Sequence, residues 1–312
     1  MDIIHLPFEL WNIIFESNLR CLDLKQQIRF IQICKTIKDN IFVTDLCNID
    51  DTLKYKLTGD IIRKYPNIKK LYASSRCCCY CRIGDHDLVG LNLVELDANN
   101  NKKIKKINYM TNLRILHASW KCGIDDDSLI GLNLVKLHAA DNEKIKNINH
   151  MTNLRILDAS SDSGIDDDSL GGLNLVELNA IDNPKIKKIN HMSNLRILHT
   201  SDECGIDDDS LDSTFGGLNL VELNASCNPK IKKINHMTNL RILDASGFHC
   251  GINDESLIGL NLVELDARYN PKIKKINHMT NLRKLNTCEI AEDDIVSTVC
   301  LYYNQKKRKR NH

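Results

Sequence analysis

The sequence predicts an α/β repeat fold, a stack of short strands and tight return turns preceded by a small helical segment. Three observations lead there. The stretch GLNLVELDA begins at Gly90 and returns in near-identical form from Gly131, Gly172, Gly217 and Gly259, at spacings of 41, 41, 45 and 42 residues. Interleaved with it, MTNLRILHAS begins at Met110 and returns from Met151, Met192, Met237 and Met279, with a diverged relative, NIKKLYAS, at Asn67. Only 5 % of the residues are aromatic, a bias that fits a repetitive scaffold better than a pocketed enzyme. The unit is therefore about 21 residues in two alternating versions, giving eleven copies.

The first element is LPFELWNIIF, residues 6 to 15, which matches nothing in the repeats. Leu6, Leu10, Ile13 and Phe15 recur at helical spacing, with Pro7 near the first turn. Residues 22 to 41 continue with Leu24, Ile28, Ile31 and Ile33 on a second helical pattern. Together, L-P-x-E-L-x-x-x-I-F, L-D-L and an apolar helix ending near C-K resemble the F-box, departing at Ile37 where that family carries Trp. The resemblance implies that Leu6, Pro7, Leu10, Ile13 and Phe15 meet a Skp-type adaptor of a cullin–RING ubiquitin ligase. The plain alternative is that these helices only cap the first coil. Residues 1 to 41 are taken as the F-box-like domain and 42 to 64 as a helical connector.

The repeat array spans 65 to 288. Each copy reads L-x-x-L-x-A, and apolar residues at alternate positions imply a strand with one face inward. Apolar residues three apart in the following K-I-K-K-I suit a turn of helix or 3₁₀ on the return. One copy cannot bury its apolar edge, whereas a stack can. This pattern resembles the leucine-rich-repeat family, and the chain as a whole resembles the F-box and leucine-rich-repeat proteins of giant DNA viruses of amoebae. The resemblance implies a solenoid of about eleven coils with a parallel sheet on its concave side. Two departures stand out. The third core position is Ala or Thr (Ala98, Ala118, Ala139, Thr200 and their equivalents), which makes each coil thin. The second version carries C-G-I-D-D-D-S-L, as at Cys122 to Leu129, similar to the cysteine-containing subtype.

Asn101, Asn142, Asn183, Asn228 and Asn270 recur at one position, where a ladder of side-chain amides satisfies buried backbone groups at the turn. K-I-K-K-I in one version and D-D-D in the other place basic and acidic stripes on the return side. They read as a compensating surface, with acids at helix N-termini, and no EF-hand spacing accompanies them to suggest calcium. His150, His191, His236 and His278 lie about 10 Å apart, too far to share a zinc ion. Cys78-x-x-Cys81 in RCCCYC is half of a zinc motif without a second half. No metal or cofactor is therefore expected, and no catalytic pattern appears.

The partner-binding surface expected from the resemblance is the concave face. Its strand residues are Glu95, Glu177 and Glu222, then Asp97, in the first version, and Ile115, Ile156, Ile197 and Ile242, then His117, Asp158, His199 and Asp244, in the second. Exposed isoleucines on every second strand, rimmed by charge, mark a surface for a protein substrate; Ile also simply suits a strand.

After Cys288 the repeat stops, and residues 289 to 304 are expected to form a terminal cap. Lys306 to Arg310 make a basic run of nuclear-import type, or a solvated tail. The 42 Lys and Arg against 41 Asp and Glu give no basic surface for nucleic acid. The N-terminus lacks a signal-peptide pattern and no membrane span is evident, so an intracellular setting with the 13 cysteines reduced is expected. The function this implies is a substrate-recognition subunit of a ubiquitin ligase, not an enzyme. The alternative is an interaction scaffold or inhibitor without that link.

Overall fold

The computed structural model describes residues 58–62, 68–75, 82–212 and 218–287. The F-box-like segment, RCCCYC, the terminal cap and the basic tail lie outside these residues. The chain falls into two compact units, residues 1–134 and 135–312.

In the first unit, three strands lie parallel and in register: β1 (Lys70–Tyr72), β2 (Glu95–Asp97) and β3 (Ile115–His117). The second unit holds eight: β4 (Lys136–His138), β5 (Ile156–Asp158), β6 (Glu177–Asn179), β7 (Ile197–His199), β8 (Glu222–Asn224), β9 (Ile242–Asp244), β10 (Glu264–Asp266) and β11 (Lys284–Asn286). Each pairs in parallel with its neighbour in sequence. One strand per copy is what the repeat count requires. The central residue of every strand is a buried leucine, Leu71 through Leu285, and the small Ala or Thr that follows two positions on is buried beneath it in every coil but the last, where Thr287 is half-buried. This is the leucine-rich-repeat coil, thin because the third core position has a small side chain.

Helix is scarce, and one of its two expected places carries none. The K-I-K-K-I segments are not helical; their isoleucines, such as Ile186 and Ile189, are buried from an irregular chain. The first unit has short helices α1 (Gly59–Ile62), α2 (Asp85–Leu88) and α3 (Asp126–Leu129), and the second has 3₁₀ turns at Asp209–Leu211 and Glu255–Leu257; the last three lie in the acidic segment, where acids were expected at helix N-termini. The cause is local. Asp125 Oδ1 accepts the amide of Ser128 at 3.1 Å, while Ser128 Oγ accepts the Asp125 amide at 3.2 Å. That reciprocal cap starts a helical turn. Lys-rich K-I-K-K has no residue able to do the same.

The second aspartate of each triplet has another task. Asp167 Oδ1 accepts the amides of Lys187 and Lys188, both at 2.7 Å, and Asp208 does the same for Lys232 and Lys233 at 2.7 and 2.8 Å. Acid and base therefore meet through the lysine backbone. A non-helical K-I-K-K leaves its amides without carbonyl partners, and the neighbouring carboxylate supplies an acceptor.

The asparagine ladder is built as expected. Asn183 Nδ2 donates to the carbonyls of Ala159 (2.7 Å) and Ile165 (3.1 Å) in the preceding coil, and its Oδ1 accepts the amide of Lys185. Asn101, Asn228 and Asn270 make the equivalent bonds, and Asn142 Oδ1 accepts the amide of Lys144. All five are buried.

Candidate interaction face

A strand of three residues with a buried centre turns its first and third side chains away from the leucine core. In the second unit the first positions line up in register as Lys136, Ile156, Glu177, Ile197, Glu222, Ile242, Glu264 and Lys284. The third positions form a polar row: His138, Asp158, Asn179, His199, Asn224, Asp244, Asp266 and Asn286. The sequence-predicted Ile156, Ile197 and Ile242 thus share one line with Glu177 and Glu222, while Ile115 and His117 belong to the first unit.

Two expectations need correction. The isoleucines are half-buried rather than open, because neighbouring strands about 4.8 Å away place side chains on either flank. Glu95 and Asp97 are buried. Lys70 Nζ lies 3.1 Å from Glu95 Oε2, and His117 Nε2 is 3.7 Å from its other oxygen. Asp97 Oδ1 accepts the amide of Asn99. Both carboxylates are absorbed within the first unit.

The third-row acids also serve the fold. Asp158 Oδ1 accepts the amide and hydroxyl of Ser160, and Asp244 Oδ1 the amide of Ser246, so each closes the turn that leaves its strand. Burial pushes the Asp158 carboxyl up, but hydrogen bonds from His138 and Ser160 prevail and hold it below the usual range. His199 is half-buried between Asn179 and Asn224 of the neighbouring strands.

On the approach to β5, β7 and β9 an arginine is fixed. Arg196 Nη1 donates to the carbonyls of Ser193 and Leu195, both at 2.9 Å, and Arg155 and Arg241 repeat the arrangement. First-version strands are preceded instead by the exposed Val135, Val176 and Val221.

Sequence reasoning passed over the edge where the strands end. There eight coils each have one residue with φ between 53° and 60°, and most are small or polar, such as Asn100, Asp141, Ser161 and Asp182. Trp120 and Tyr269 occupy the same position with bulky rings, 53 % and 58 % exposed. Side chains of this kind rarely adopt that backbone. Phe248, 67 % exposed, lies with its ring centroid 5.7 Å from that of Tyr269. The signal was present in the alignment of copies: aromatics interrupt a column of Asn, Asp and Ser.

The histidine ladder is external. His191, His236 and His278 are exposed, and their Nε2 atoms lie 3.3, 3.2 and 3.0 Å from the carbonyls of Leu170, Leu211 and Leu257. Cys122, Cys204 and Cys250 are buried, and burial pushes the thiols of Cys204 and Cys250 up to about 11. Such thiols stay protonated and act as core side chains. Among the described residues no group of His, Cys, Asp and Glu is arranged to hold a metal ion, and no helix is long and apolar enough to cross a membrane.

No protein-family model matches the sequence, and no curated protein matches it. Solved structures do. An internalin from Listeria monocytogenes is similar with a TM-score of 0.50 at 22 % identity, over 75 % of this chain and 71 % of that one. The functional domain of InlJ from the same organism, which includes a cysteine ladder, aligns with a TM-score of 0.46 at 19 % identity, over 74 % of this chain and 56 % of that one. The yeast Rad7 and Elc1 complex aligns at 0.43 and 16 % identity, over 82 % of this chain and 81 % of that one. The internalin likeness bears on architecture alone, and the architecture is the leucine-rich-repeat fold.

Proposed function

We propose that this chain is a protein-interaction scaffold whose sheet face captures a protein, and that it acts as a substrate-recognition subunit of a cullin–RING ubiquitin ligase. The observation that carries the capture reading is the row Ile156, Ile197 and Ile242, held in register on an outward sheet face whose strands are too short to enclose a pocket. Apolar side chains at fixed intervals, with charge between them, suit a protein surface better than a small molecule. The reading calls for no catalytic group and no cofactor. The ligase link rests on the resemblance of residues 6 to 41 to the F-box, with Leu6, Pro7, Leu10, Ile13 and Phe15 as the adaptor contacts.

Two sets of variants test the two halves. Ile156→Ser with Ile197→Ser is expected to reduce partner capture at least tenfold while the thermal midpoint stays near that of the parent chain; unaltered capture removes the face from consideration. Leu6→Ala with Pro7→Ala is expected to abolish co-purification with a Skp-type adaptor. If the parent chain recovers no adaptor under conditions that capture an ordinary F-box protein, the ligase link fails and an interaction scaffold without it remains.

A further inference from the structure

The glutamates of the strand row fall into two groups. At one end of the second unit, Glu264 Oε2 lies 2.6 Å from Lys284 Nζ on the adjacent strand. In the first unit, Glu95 takes Lys70 from its neighbouring strand in the same way. Glu177 and Glu222 occupy the same position on β6 and β8, but the flanking strands offer Ile156, Ile197 and Ile242 instead. Among the described residues neither carboxylate has a hydrogen bond or an ion pair, although both are half-buried. The adjacent Arg196 and Arg241 do not supply one, since their Nη1 atoms are held by local carbonyls. A carboxylate set between two isoleucines and half removed from water is costly without a cation. Glu95 and Glu264 show which cation this position accepts: an ammonium, supplied there by the adjacent strand.

We infer that the row Ile156–Glu177–Ile197–Glu222–Ile242 receives an amphipathic α-helix of a partner protein, carrying Lys or Arg at every seventh position with apolar residues midway between. The inference rests on the capture reading above and names the partner's chemistry. Spacing selects the helix. Strands about 4.8 Å apart put an apolar site or a carboxylate at each step and like sites about 9.6 Å apart. A helix rising about 1.5 Å per residue returns a side chain to one face every seven residues, about 10.5 Å, with positions three or four on falling midway at about 5 Å. An extended strand repeats on one face at about 6.7 Å, out of step with the row. A polyproline helix repeats at about 9.3 Å but leaves nothing on that face to cover the isoleucine between. Only the α-helix presents apolar, cation, apolar at the interval the sheet offers.

The test uses the full chain and a fluorescein-labelled 21-residue helical peptide, with Lys at each seventh position, Leu three and four residues on, and Ala and Gln elsewhere. Fluorescence anisotropy should show saturable binding, weakened about tenfold for each of Glu177→Gln and Glu222→Gln. Glu203→Gln, on an exposed turn away from the row, should bind as the parent does. A peptide of identical composition with the lysines moved off the seven-residue spacing should bind at least tenfold more weakly. Because neither carboxylate has a hydrogen bond or ion pair among the described residues, the Gln variants should keep the parent's circular dichroism and thermal midpoint. Equal binding of the rearranged peptide, or an unchanged affinity of the Glu177→Gln, Glu222→Gln double variant, overturns the inference. If Ile156→Ser with Ile197→Ser abolishes peptide binding while the double Gln variant does not, the cation pairing is wrong and the capture face stands. If neither pair of substitutions alters binding, both readings fall.

Discussion

Asn183 shows what one side chain does in this fold. Its amide closes two buried carbonyls of the preceding coil while its oxygen receives an amide of its own. Asn183→Ala leaves the carbonyls of Ala159 and Ile165 without their side-chain donor. Leaving buried acceptors unpaired makes the expected loss about 3 kcal/mol, read as a lower urea midpoint for the second unit; Glu203→Ala, on an exposed turn, should move it little. The ladder could be foreseen because recurrence at a turn leaves a polar amide one plausible task. Other residues could not be placed so well. Asp158 and Asp244 were legible as outward strand residues, but their engagement with the backbone two residues on depends on how the chain leaves the strand. Glu95 and Glu177 occupy the same place in their repeats, yet one is buried against Lys70 and the other has no cation. That difference lies in the neighbouring copy, some twenty residues away.

At the level of the element, the D-D-D-S-L turn and the C-G-I that precedes it form one device. Gly205 sits where an added Cβ would lie 2.5 Å from the Ile186 carbonyl oxygen and 2.6 Å from that of Pro184. Its amide donates to the Asn183 carbonyl at 2.9 Å. The glycine is therefore required by close approach of two backbones, and Gly205→Ala should cost about 2 kcal/mol through forced separation of the coils. Thermal unfolding of the variant, with Gly171→Ala as the control at a roomier site, measures it. The sequence marked strands well because their alternation is local. It put acids at helix N-termini in D-D-D, where the turns are, but added one in K-I-K-K-I, because three-residue apolar spacing mimics a helix where no reciprocal cap starts one.

Over the whole chain, the two junctions of the repeat are unequal. Where a first-version coil follows a second-version coil, as at β5 to β6, the Asn183 amide, the Asp167 carboxylate, Lys185 Nζ on the Ser163 carbonyl and His191 on the Leu170 carbonyl all cross it. The next junction, β6 to β7, is crossed chiefly by backbone bonds, with Asn174 bonding Asn194 and Ser193 at its rim. β7 to β8 and β9 to β10 repeat the richer pattern, through Asn228 with Asp208 and Asn270 with Asp254. Nearest-neighbour coupling in a stacked protein makes such junctions set the order of opening. Native-state hydrogen exchange should therefore resolve opening in blocks of two coils, with amides at β5 and β6 exchanging together and the step falling between β6 and β7. Exchange in single-coil steps, or in one block across the second unit, counts against it.

Alternation of strong and weak seams has a consequence for length. The copies from Met151 and Met192 are 41 residues apart, and one such cassette contains a complete strong seam and ends at weak ones. Adding or deleting a whole cassette leaves every strong seam intact, whereas adding a single coil places two like versions side by side and strands an asparagine or an aspartate without its counterpart. The array is thus free to lengthen only in even numbers of coils, and with each cassette the isoleucine–glutamate row gains one more repeat for whatever lies along it.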